Sequence, residues 1–251
     1  MIKLSGVIIT FNEERNIERC LQSLVNIVDE IVVVDSYSTD NTKQICLNYN
    51  VKFIEQKFLG YIEQKNFALK QASNDFIVSL DGDEALSGTL QDSIIELKSN
   101  WKLDGYYCNR FNNFCGQWIK HSDWYPNKKL RVFDRRLAQW KGLNPHDKIG
   151  LKDNRKAGKL KGDILHWTYQ SYTEFNEKTD YFSTISAQSY YDIGKKAPLH
   201  KIILNPIWAF FKAYILRLGF LDGKNGFVIS KETGKITYLK YTKLRKLYRS
   251  H

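Results

Sequence analysis

One stretch constrains the fold of this chain more than any other: an apolar run that stops at a cluster of acidic residues. Residues 76–80 are Phe-Ile-Val-Ser-Leu, and Asp81, Gly82, Asp83 and Glu84 follow directly. An apolar run of this length, without polar alternation, predicts a strand that is covered on both faces. Gly82 then allows the chain to turn. We therefore expect Asp81 and Asp83 at the carboxyl edge of a sheet, where open α/β folds bind their ligands.

The two aspartates of this turn have two possible roles. Carboxylates that lie so close together repel each other, and a divalent cation relieves the repulsion. Mg²⁺ or Mn²⁺ typically combines one or two carboxylates with phosphate oxygens and water, which predicts a site for a metal-bound diphosphate. The alternative is an acidic turn whose carboxylates face solvent or cap the next helix.

The first hundred residues alternate between strand and helix patterns. Strands are expected at residues 3–10, 30–35, 51–54 and 75–80, with helices of about ten residues between them. This order predicts a doubly wound, mostly parallel sheet, with Thr10, Asp35 and Asp81 at the same edge. The first turn has neither the glycine-rich motif of dinucleotide-binding folds nor a P-loop. A nucleotide bound here would therefore be held by side chains and a metal.

Charge is distributed unevenly along the chain. The net charge of +11 divides into −6 for residues 1–100 and +17 for residues 101–251. We expect an acidic catalytic half and a basic half that faces an anionic partner. The four cysteines are scattered, which favours a reducing compartment over a disulfide framework, and the first residues show no pattern of a secretory signal.

Residues 111–140 are dense in aromatic and basic side chains. Such a composition suits sugar stacking and phosphate pairing, and it suits base stacking in single-stranded nucleic acid equally well. A β-rich core with a solvated basic edge is the third possibility. Within this region, residues 129–134 predict a strand that turns Lys129 and Arg131 outward and Leu130 and Val132 inward.

Three motifs in the first half together resemble the family 2 glycosyltransferases of the GT-A fold. They are Val7-Ile-Ile-Thr-Phe-Asn-Glu-Glu, Val33-Val-Asp-Ser-Tyr-Ser-Thr-Asp-Asn-Thr and Leu80-Asp-Gly-Asp-Glu, and the resemblance covers roughly residues 3–90. It implies an α/β GT-A fold with a small antiparallel part and C-terminal helices. It also implies that the residues holding the uracil and ribose of a UDP-sugar are Thr10, Phe11, Asn12, Glu13 and Asp35. Without the resemblance, Asp35 could simply cap a helix.

The same resemblance assigns further site residues. Lys65 would lie near the base or diphosphate of the donor. Asp81, Gly82 and Asp83 would form the Asp-x-Asp element that contacts ribose and a divalent cation, and His166 would complete the metal or diphosphate shell. A solvated lysine and a structural histidine are the simpler alternatives.

The second half is similar to the bacterial lipopolysaccharide core β-1,4-glucosyltransferases. The similarity lies in residues 129–133, 145–147, 165–169 and 220–227. It implies an inverting transfer of glucose from UDP-glucose to an inner-core heptose. An inverting enzyme needs a carboxylate that takes the acceptor proton. Asp147, in an expected loop where the subgroup has glutamate, is our choice for that base, and a salt bridge to Lys148 or Arg131 is its alternative role.

Basic residues of the second half would hold phosphates of the acceptor, and the residues expected to do so are Arg131, Arg135 and Arg136. The sequence thus predicts a metal-dependent inverting hexosyltransferase that binds no nucleic acid. Two rival functions are a transferase acting on another cell-surface glycan and a basic nucleic-acid-binding module. An aspartyl phosphatase is disfavoured because Ala85 stands where such enzymes need threonine.

The C-terminal region predicts attachment to a membrane surface. Residues 202–221 are strongly apolar, and their helix is expected to begin at Asn205-Pro206 and to end at Gly219. About 13 residues would be too short to cross a bilayer. Residues 231–251 contain seven basic residues and one acidic residue, as expected of a tail that contacts an anionic leaflet. The helix could instead pack on protein, and the tail could be solvated.

These expectations define two domains and a location. A GT-A domain would occupy residues 1–195, with a nucleotide-sugar-binding half at 1–100 and an acceptor-side half at 101–195. The amphipathic helix and basic tail would occupy residues 196–251. The protein is expected in the cytoplasm, bound peripherally to the inner face of the bacterial inner membrane.

Overall fold

The computed structural model describes residues 1–143, 146–152 and 155–250, with the side chains of His146 and Ser250 left aside. The chain divides into two compact units that differ from the domains expected from the sequence. Unit 1 comprises residues 1–110, 128–142 and 147–167. Unit 2 comprises residues 111–127, 143–146 and 168–251.

Unit 1 is built around a mixed sheet with helices between its strands. Its first helices and strands follow the order that the sequence predicts. They are β1 (Leu4–Thr10), α1 (Ile17–Gln22), β2 (Glu30–Asp35), α2 (Thr42–Leu47), β3 (Lys52–Glu55), α3 (Tyr61–Gln71), β4 (Phe76–Asp81), β5 (Glu84–Leu86) and α4 (Gly88–Ser99). The later strands are β6 (Gly105–Phe114), β7 (Gln117–Ile119), β8 (Asn127–Asp134), β9 (Ala138–Leu143), β10 (His146–Leu151) and β11 (Ala157–Tyr169), of which β7 lies within the residues of unit 2.

The sheet order is β3-β2-β1-β4-β8-β6-β11-β5, and β9 and β10 form a separate pair. Strands β1, β2, β3 and β4 are parallel, whereas β8 runs antiparallel to β4 and β5 runs antiparallel to β11. Thr10 pairs in register with Asp35, and Ile9 pairs with Asp81. The parallel strands therefore end at the same edge of the sheet, as the sequence predicted.

Apolar side chains cover both faces of this sheet. Ile8, Val78 and Leu80 belong to one cluster, which includes residues of α1 and α4. Val7 and Ile77 belong to a second cluster, which includes residues of α3 and β9. Burial on both sides explains why the run 76–80 lacks polar alternation, and it fixes the strand ends that carry the acidic residues.

Unit 2 is mostly helical. Its helices are α5 (Tyr172–Asp192), α6 (Leu199–Phe211) and α7 (Gly223–Ser250), with a π-helical turn at Lys212–Leu216 and a 3₁₀ turn at Gly219–Asp222. Phe114, Phe175 and Ile229 belong to its apolar core. Residues 231–250 of the expected basic tail thus belong to a helix of 28 residues.

The expected start of the apolar helix at Asn205-Pro206 is wrong. Helix α6 begins at Leu199, directly after Pro198, and Pro206 lies inside it. Proline is favoured near a helix start, and here Pro198, which the sequence analysis did not consider, marks the boundary. Within the described part of the chain, no single helix is both long and apolar enough to cross a bilayer. The segments 199–216 and 219–249 meet that requirement only as a pair, with a bend of 70° between them.

Candidate active site

The first loop at the sheet edge is held by a network of hydrogen bonds. The Asn12 amide N–H donates to Ser38 Oγ (2.8 Å), and the Thr39 N–H donates to Asn12 Oδ1 (2.8 Å). Asp35, which is 1% exposed, accepts from the Ser38 N–H (2.7 Å) and the Ser38 hydroxyl (2.5 Å). Asn12 has a left-handed φ of 54°, a conformation that asparagine tolerates better than most residues. The structure therefore joins the loop at Thr10–Glu13 to the loop after Asp35.

The close approach of the third strand end explains Gly82. A Cβ atom at this position would lie 2.7 Å from Thr10 Oγ1 and 3.3 Å from Glu13 Cγ. Only glycine lets the Asp-x-Asp turn lie so near the first loop. Phe11 (55% exposed) and Tyr37 (56% exposed) present aromatic faces to solvent on these two loops. Six predicted donor-site residues are thus brought to one edge, and they are Thr10, Phe11, Asn12, Glu13, Asp35 and Gly82.

Asp81 lies between two cations. Lys65 Nζ is 3.0 Å from Asp81 Oδ1, and Arg131 Nη2 is 3.1 Å from Asp81 Oδ2. Burial alone would raise the pKa of Asp81, but the attraction of Lys65 and Arg131 holds that pKa well below its usual range. Asp81 is therefore ionised at neutral pH. Lys65, which is 5% exposed, is a buried partner of the acidic site rather than a solvated charge on a helix.

Glu84 is a residue of the site that the sequence analysis did not assign. Its side chain is fully buried and accepts from Arg131 Nη2 (3.0 Å), Arg110 Nη1 (3.4 Å) and the Asp81 backbone N–H (3.0 Å). Burial lowers the pKa of Arg131, but Glu84 and Asp81 together raise it above its usual value. The signal was present in the sequence, because Glu84 extends the acidic cluster by one residue.

The expected outward orientation of Arg131 is wrong. Arg131 is 3% exposed, because strand β8 lies beside β4 and turns this guanidinium onto Asp81 and Glu84. Its neighbours Leu130 and Val132 are also buried, so the strand is covered on both faces. Alternation of polar and apolar residues along a strand indicates a solvated face only if nothing packs on that face.

Asp83 pairs with His166. His166 Nε2 lies 3.1 Å from Asp83 Oδ2, and the Trp167 N–H donates to the Asp83 carbonyl (3.0 Å). Burial would raise the pKa of Asp83, but the attraction of His166 and its hydrogen bond bring the pKa below its usual value. His166 lies on β11, which pairs with β5 opposite Glu84. The structure therefore brings the two residues proposed from the resemblance as metal ligands into contact.

The residues at this position fit a divalent cation of one particular kind. Asp83 and His166 offer a carboxylate oxygen and a ring nitrogen, and their side chains are 20% and 12% exposed. Within residues 1–143, 146–152 and 155–250, no three His, Cys, Asp or Glu side chains converge as a ready metal cage. Such a donor set suits a divalent cation that takes its remaining ligands from a diphosphate and water.

Asp147 lies in the same cluster. Its Oδ2 is 2.9 Å from Lys65 Nζ, so one lysine bridges Asp147 and Asp81. The Lys65 ammonium lies 4.3 Å from the centre of the Trp140 ring. The Asn66 side-chain amide donates to the Trp140 carbonyl (2.9 Å) and accepts from the Trp140 backbone N–H (3.0 Å). Asp147 belongs to strand β10, so the expected loop is wrong at this residue. Pro145 of the same motif lies outside the described residues.

Two predicted site residues lie elsewhere in unit 1. Arg135 Nη1 donates to the carbonyls of Leu69 (2.9 Å) and Ala72 (2.8 Å). Arg136 pairs with Asp134 (2.6 Å) and Asp75 (3.1 Å). These contacts tie the end of β8 to α3 and to the start of β4, which is the end of β4 opposite to Asp81. The structure does not bring these two arginines to the acidic cluster.

Comparison with known proteins identifies the family. A model of the glycosyl transferase family 2 domain matches residues 5–152, which include the strand ends, Asp81, Asp83 and Asp147. The chain belongs to glycosyl transferase family 2. A Rickettsia felis protein described as an uncharacterized glycosyltransferase is 34% identical over 98% of this chain and 90% of its own length. A Rhizobium meliloti lipopolysaccharide core biosynthesis glycosyltransferase, LpsC, is 28% identical over 100% of this chain and 93% of its own length.

Solved structures of other glycosyltransferases share the fold. A mannosyltransferase from Pyrobaculum calidifontis, in complex with GDP-Man and Mn²⁺, superposes with a TM-score of 0.53 and 16% identity, over 99% of this chain and 88% of its own. Glucosyl-3-phosphoglycerate synthase from Mycobacterium tuberculosis gives a TM-score of 0.53 with 17% identity, over 77% of this chain and 81% of its own. The GT-A fold expected from the motifs of this family 2 member is thereby confirmed.

Proposed function

We propose that this family 2 glycosyltransferase transfers a hexose, with glucose as the first candidate, from a UDP-sugar to a lipopolysaccharide core acceptor such as heptose. The observation that carries the proposal is that Asp81 and Asp147 both pair with Lys65, while Asp83, two residues after Asp81 at the carboxyl edge of the sheet, pairs with His166. The likeness to LpsC over the whole chain supports a core acceptor. The donor loops and the acidic turn support a sugar nucleotide as the other substrate.

The chemistry assigned to each residue follows from its surroundings. Asp83 and His166 would hold a divalent cation, which supplies positive charge to the diphosphate leaving group. The loop at Thr10–Glu13 and Asp35 would bind the nucleoside. Asp147 would take the proton of the acceptor hydroxyl as its oxygen bonds to the anomeric carbon and the bond from that carbon to the UDP oxygen breaks. Such a single displacement, from the face opposite UDP, inverts the anomeric centre. Lys65 positions Asp147 through its 2.9 Å ion pair.

Unit 2 supports the further proposal of attachment to a membrane surface. The apolar residues of α6 and the turns after it include several that are about half exposed. They are Ile203 (57%), Leu204 (60%), Ile207 (62%), Trp208 (57%), Leu216 (54%) and Leu221 (58%). Residues 193–221 contain five basic residues and no acidic residue. Helix α6 would lie on an anionic leaflet, since apolar exposure beside basic charge is typical of interfacial helices. This location also suits a lipid-linked acceptor.

Thermal shift with a panel of nucleotide sugars tests the proposed function. UDP-glucose, UDP-galactose, UDP-N-acetylglucosamine and GDP-mannose are each added with and without Mn²⁺. A ligand at 100 times its Kd stabilises a protein by about 2.7 kcal/mol, which is a readily measured shift. We expect a UDP-sugar to stabilise the wild type in the presence of Mn²⁺.

Substitution separates the metal role from general damage. Asp83→Asn should abolish transfer and the Mn²⁺-dependent part of the stabilisation while leaving the fold intact. Asp92→Asn, an exposed position on α4, is the matched control and should behave as the wild type. Equal stabilisation of Asp83→Asn and the wild type by a UDP-sugar with Mn²⁺ would contradict the metal role.

A further inference from the structure

A cluster of basic side chains faces the acidic site from two neighbouring strands. Lys129 and Arg131 are two residues apart on β8, so their side chains leave the same face of the sheet. Arg110 lies on β6, the next strand in the sheet order, and reaches the same Glu84 that Arg131 binds. Lys129, Arg131 and Arg110 are called the cationic triplet below.

The members of the cationic triplet differ in how far their charges are balanced. Arg131 binds both Asp81 and Glu84, so its charge is neutralised within the protein. Arg110 binds Glu84 alone, at 3.4 Å, and its buried Nε has no hydrogen-bond partner in the described part of the chain. None of the ion pairs among residues 1–143, 146–152 and 155–250 includes Lys129.

Lys129 therefore has no ion-pair partner among the described residues, although Glu84 and Asp147 lie close enough to attract its charge. The pKa of Lys129 is lowered to about 8, mainly by burial and to a smaller extent by repulsion from Arg110 and Arg131. Attraction to Glu84 and Asp147 acts in the opposite direction. Its side chain is only partly covered, so a ligand can reach the ammonium group. An ammonium that is strained by neighbouring cations is stabilised when an anion binds beside it.

We propose that Lys129 and Arg110 form a subsite for an oxyanion group, a phosphate or a carboxylate, carried by the acceptor. The inference rests on the proposed function, because it uses Asp147 as the base. Asp147 must face the acceptor hydroxyl, and it lies close enough to Lys129 to act on its charge. The diphosphate of the donor belongs instead at Asp83 and His166, where a cation would neutralise it. A charged group next to Lys129 is therefore placed on the acceptor side.

The sequence analysis expected three arginines to bind acceptor phosphates, and this subsite would bind such a group instead. The charge of the buried Arg131 is already balanced by Asp81 and Glu84, and Arg135 and Arg136 bind groups away from the acidic cluster. Lys129 and Arg110 are more exposed than Arg131, and Arg110 has a single ion-pair partner and Lys129 has none among the described residues. A charge-assisted hydrogen bond to an oxyanion is among the stronger polar contacts in proteins.

The first experiment probes the subsite without any acceptor. Lysine amines are labelled by reductive ¹³C-methylation, and the Lys129 signal is identified as the one missing from Lys129→Arg. Inorganic phosphate is then titrated against the wild type and against Arg110→Gln. We expect phosphate to move the Lys129 signal and to raise its pKa, with a weaker response in Arg110→Gln. The subsite would be overturned if the chemical shift of Lys129 stayed constant up to the phosphate concentration at which the signals of exposed lysines move.

The second experiment distinguishes acceptor from donor. Lys129→Gln should raise the KM for a phosphorylated core acceptor about tenfold or more, since a hydrogen bond to a charged group contributes at least about one factor of ten. Binding of UDP with Mn²⁺, measured by calorimetry, should stay within twofold of the wild type. Lys128→Gln, on the exposed neighbouring residue, is the matched control. A tenfold weaker UDP affinity in Lys129→Gln would assign the subsite to the donor and overturn the acceptor assignment.

The failure of this inference and the failure of the proposed function can be told apart. Absence of stabilisation by every nucleotide sugar would remove the proposed function, whatever Lys129 does. A normal response to a UDP-sugar, combined with unchanged acceptor kinetics in Lys129→Gln, would remove the subsite alone.

Discussion

Replacing Glu84 by glutamine tests whether one buried carboxylate organises the acidic site. Glu84→Gln keeps the shape of the side chain and removes its charge. In the wild type this carboxylate accepts from two guanidinium groups, Arg131 at 3.0 Å and Arg110 at 3.4 Å, and from the Asp81 N–H at 3.0 Å. The glutamine oxygen can still accept hydrogen bonds from some of these groups. Its NH₂ group, however, is itself a donor and would face the remaining donors, to which it cannot bond.

The expected cost follows from the burial of Arg131. This guanidinium is 3% exposed, and its Nε and Nη1 already lack hydrogen-bond partners among the described residues. After the substitution it keeps Asp81 as an ion partner. Breaking one side of a buried ion pair typically costs about 3–5 kcal/mol. We expect the lower end, about 3 kcal/mol, because Asp81 and the amide oxygen retain part of the network.

Hydrogen exchange read by mass spectrometry resolves the effect within the chain. Each 1.4 kcal/mol is about a tenfold change in an equilibrium constant, so the slowest amides of β4 and β8 should exchange about 100-fold faster in Glu84→Gln. Amides of α5 and α7, in unit 2, provide an internal reference. Glu96→Gln, an exposed position on α4, is the matched variant and should change stability by less than about 0.5 kcal/mol. A less than fivefold acceleration in β4 and β8 would refute this account of the network.

Three further predictions concern other parts of the molecule. The KM for a phosphorylated acceptor should rise above pH 8, because Lys129, with a pKa of about 8, loses its charge there; Lys129→Arg should remove that rise, since arginine stays protonated. Gly162→Ala should lower the free energy of unfolding in urea by about 2 kcal/mol more than Gly116→Ala. Both glycines have a φ of 86°, but a Cβ at 162 would lie 2.4 Å from the Leu90 backbone nitrogen, whereas one at 116 meets nothing within 4 Å. Equal losses would contradict the steric argument. Trp208→Ser should weaken binding to phosphatidylglycerol vesicles at least about fivefold in sedimentation, whereas Tyr181→Ser, also exposed, should not; equal binding would remove α6 as the membrane contact.

The parallel part of the fold was predictable because each of its signals is local. The apolar runs that became β1, β2 and β4 are short, and polar turn residues follow each of them. Strands with both faces covered show this pattern whatever lies beside them. The right-handed crossover rule then places Thr10, Asp35 and Asp81 at one edge, which the register of β1 with β2 and β4 confirms.

The inner cations were not predictable from the same reasoning. Alternation along β8 suggested that Arg131 faces solvent, but whether a face is solvated depends on which strand pairs with β8. The neighbour is β4, and its terminal Asp81 offers a buried partner for the guanidinium. Glu84 belongs to the acidic run, but the sequence gives it no role, because its partners Arg110 and Arg131 come from strands about 26 and 47 residues away. Contacts at that separation leave no mark in a local pattern.

The balance of charge links these observations into one argument about the site. Asp81, Asp83, Glu84 and Asp147 would repel one another strongly if they were left alone at the edge of the sheet. Arg131 and Lys65 hold Asp81, Glu84 and Asp147 together, and His166 contacts Asp83. Asp83 is thus the carboxylate of the cluster that has neither lysine nor arginine within ion-pair distance among the described residues. A cation brought with a diphosphate would meet Asp83 first, while Asp147 stays tied to Lys65 on the side of Lys129. If the proposed function holds, the distribution of protein cations would separate a metal side from an acceptor side within one acidic cluster.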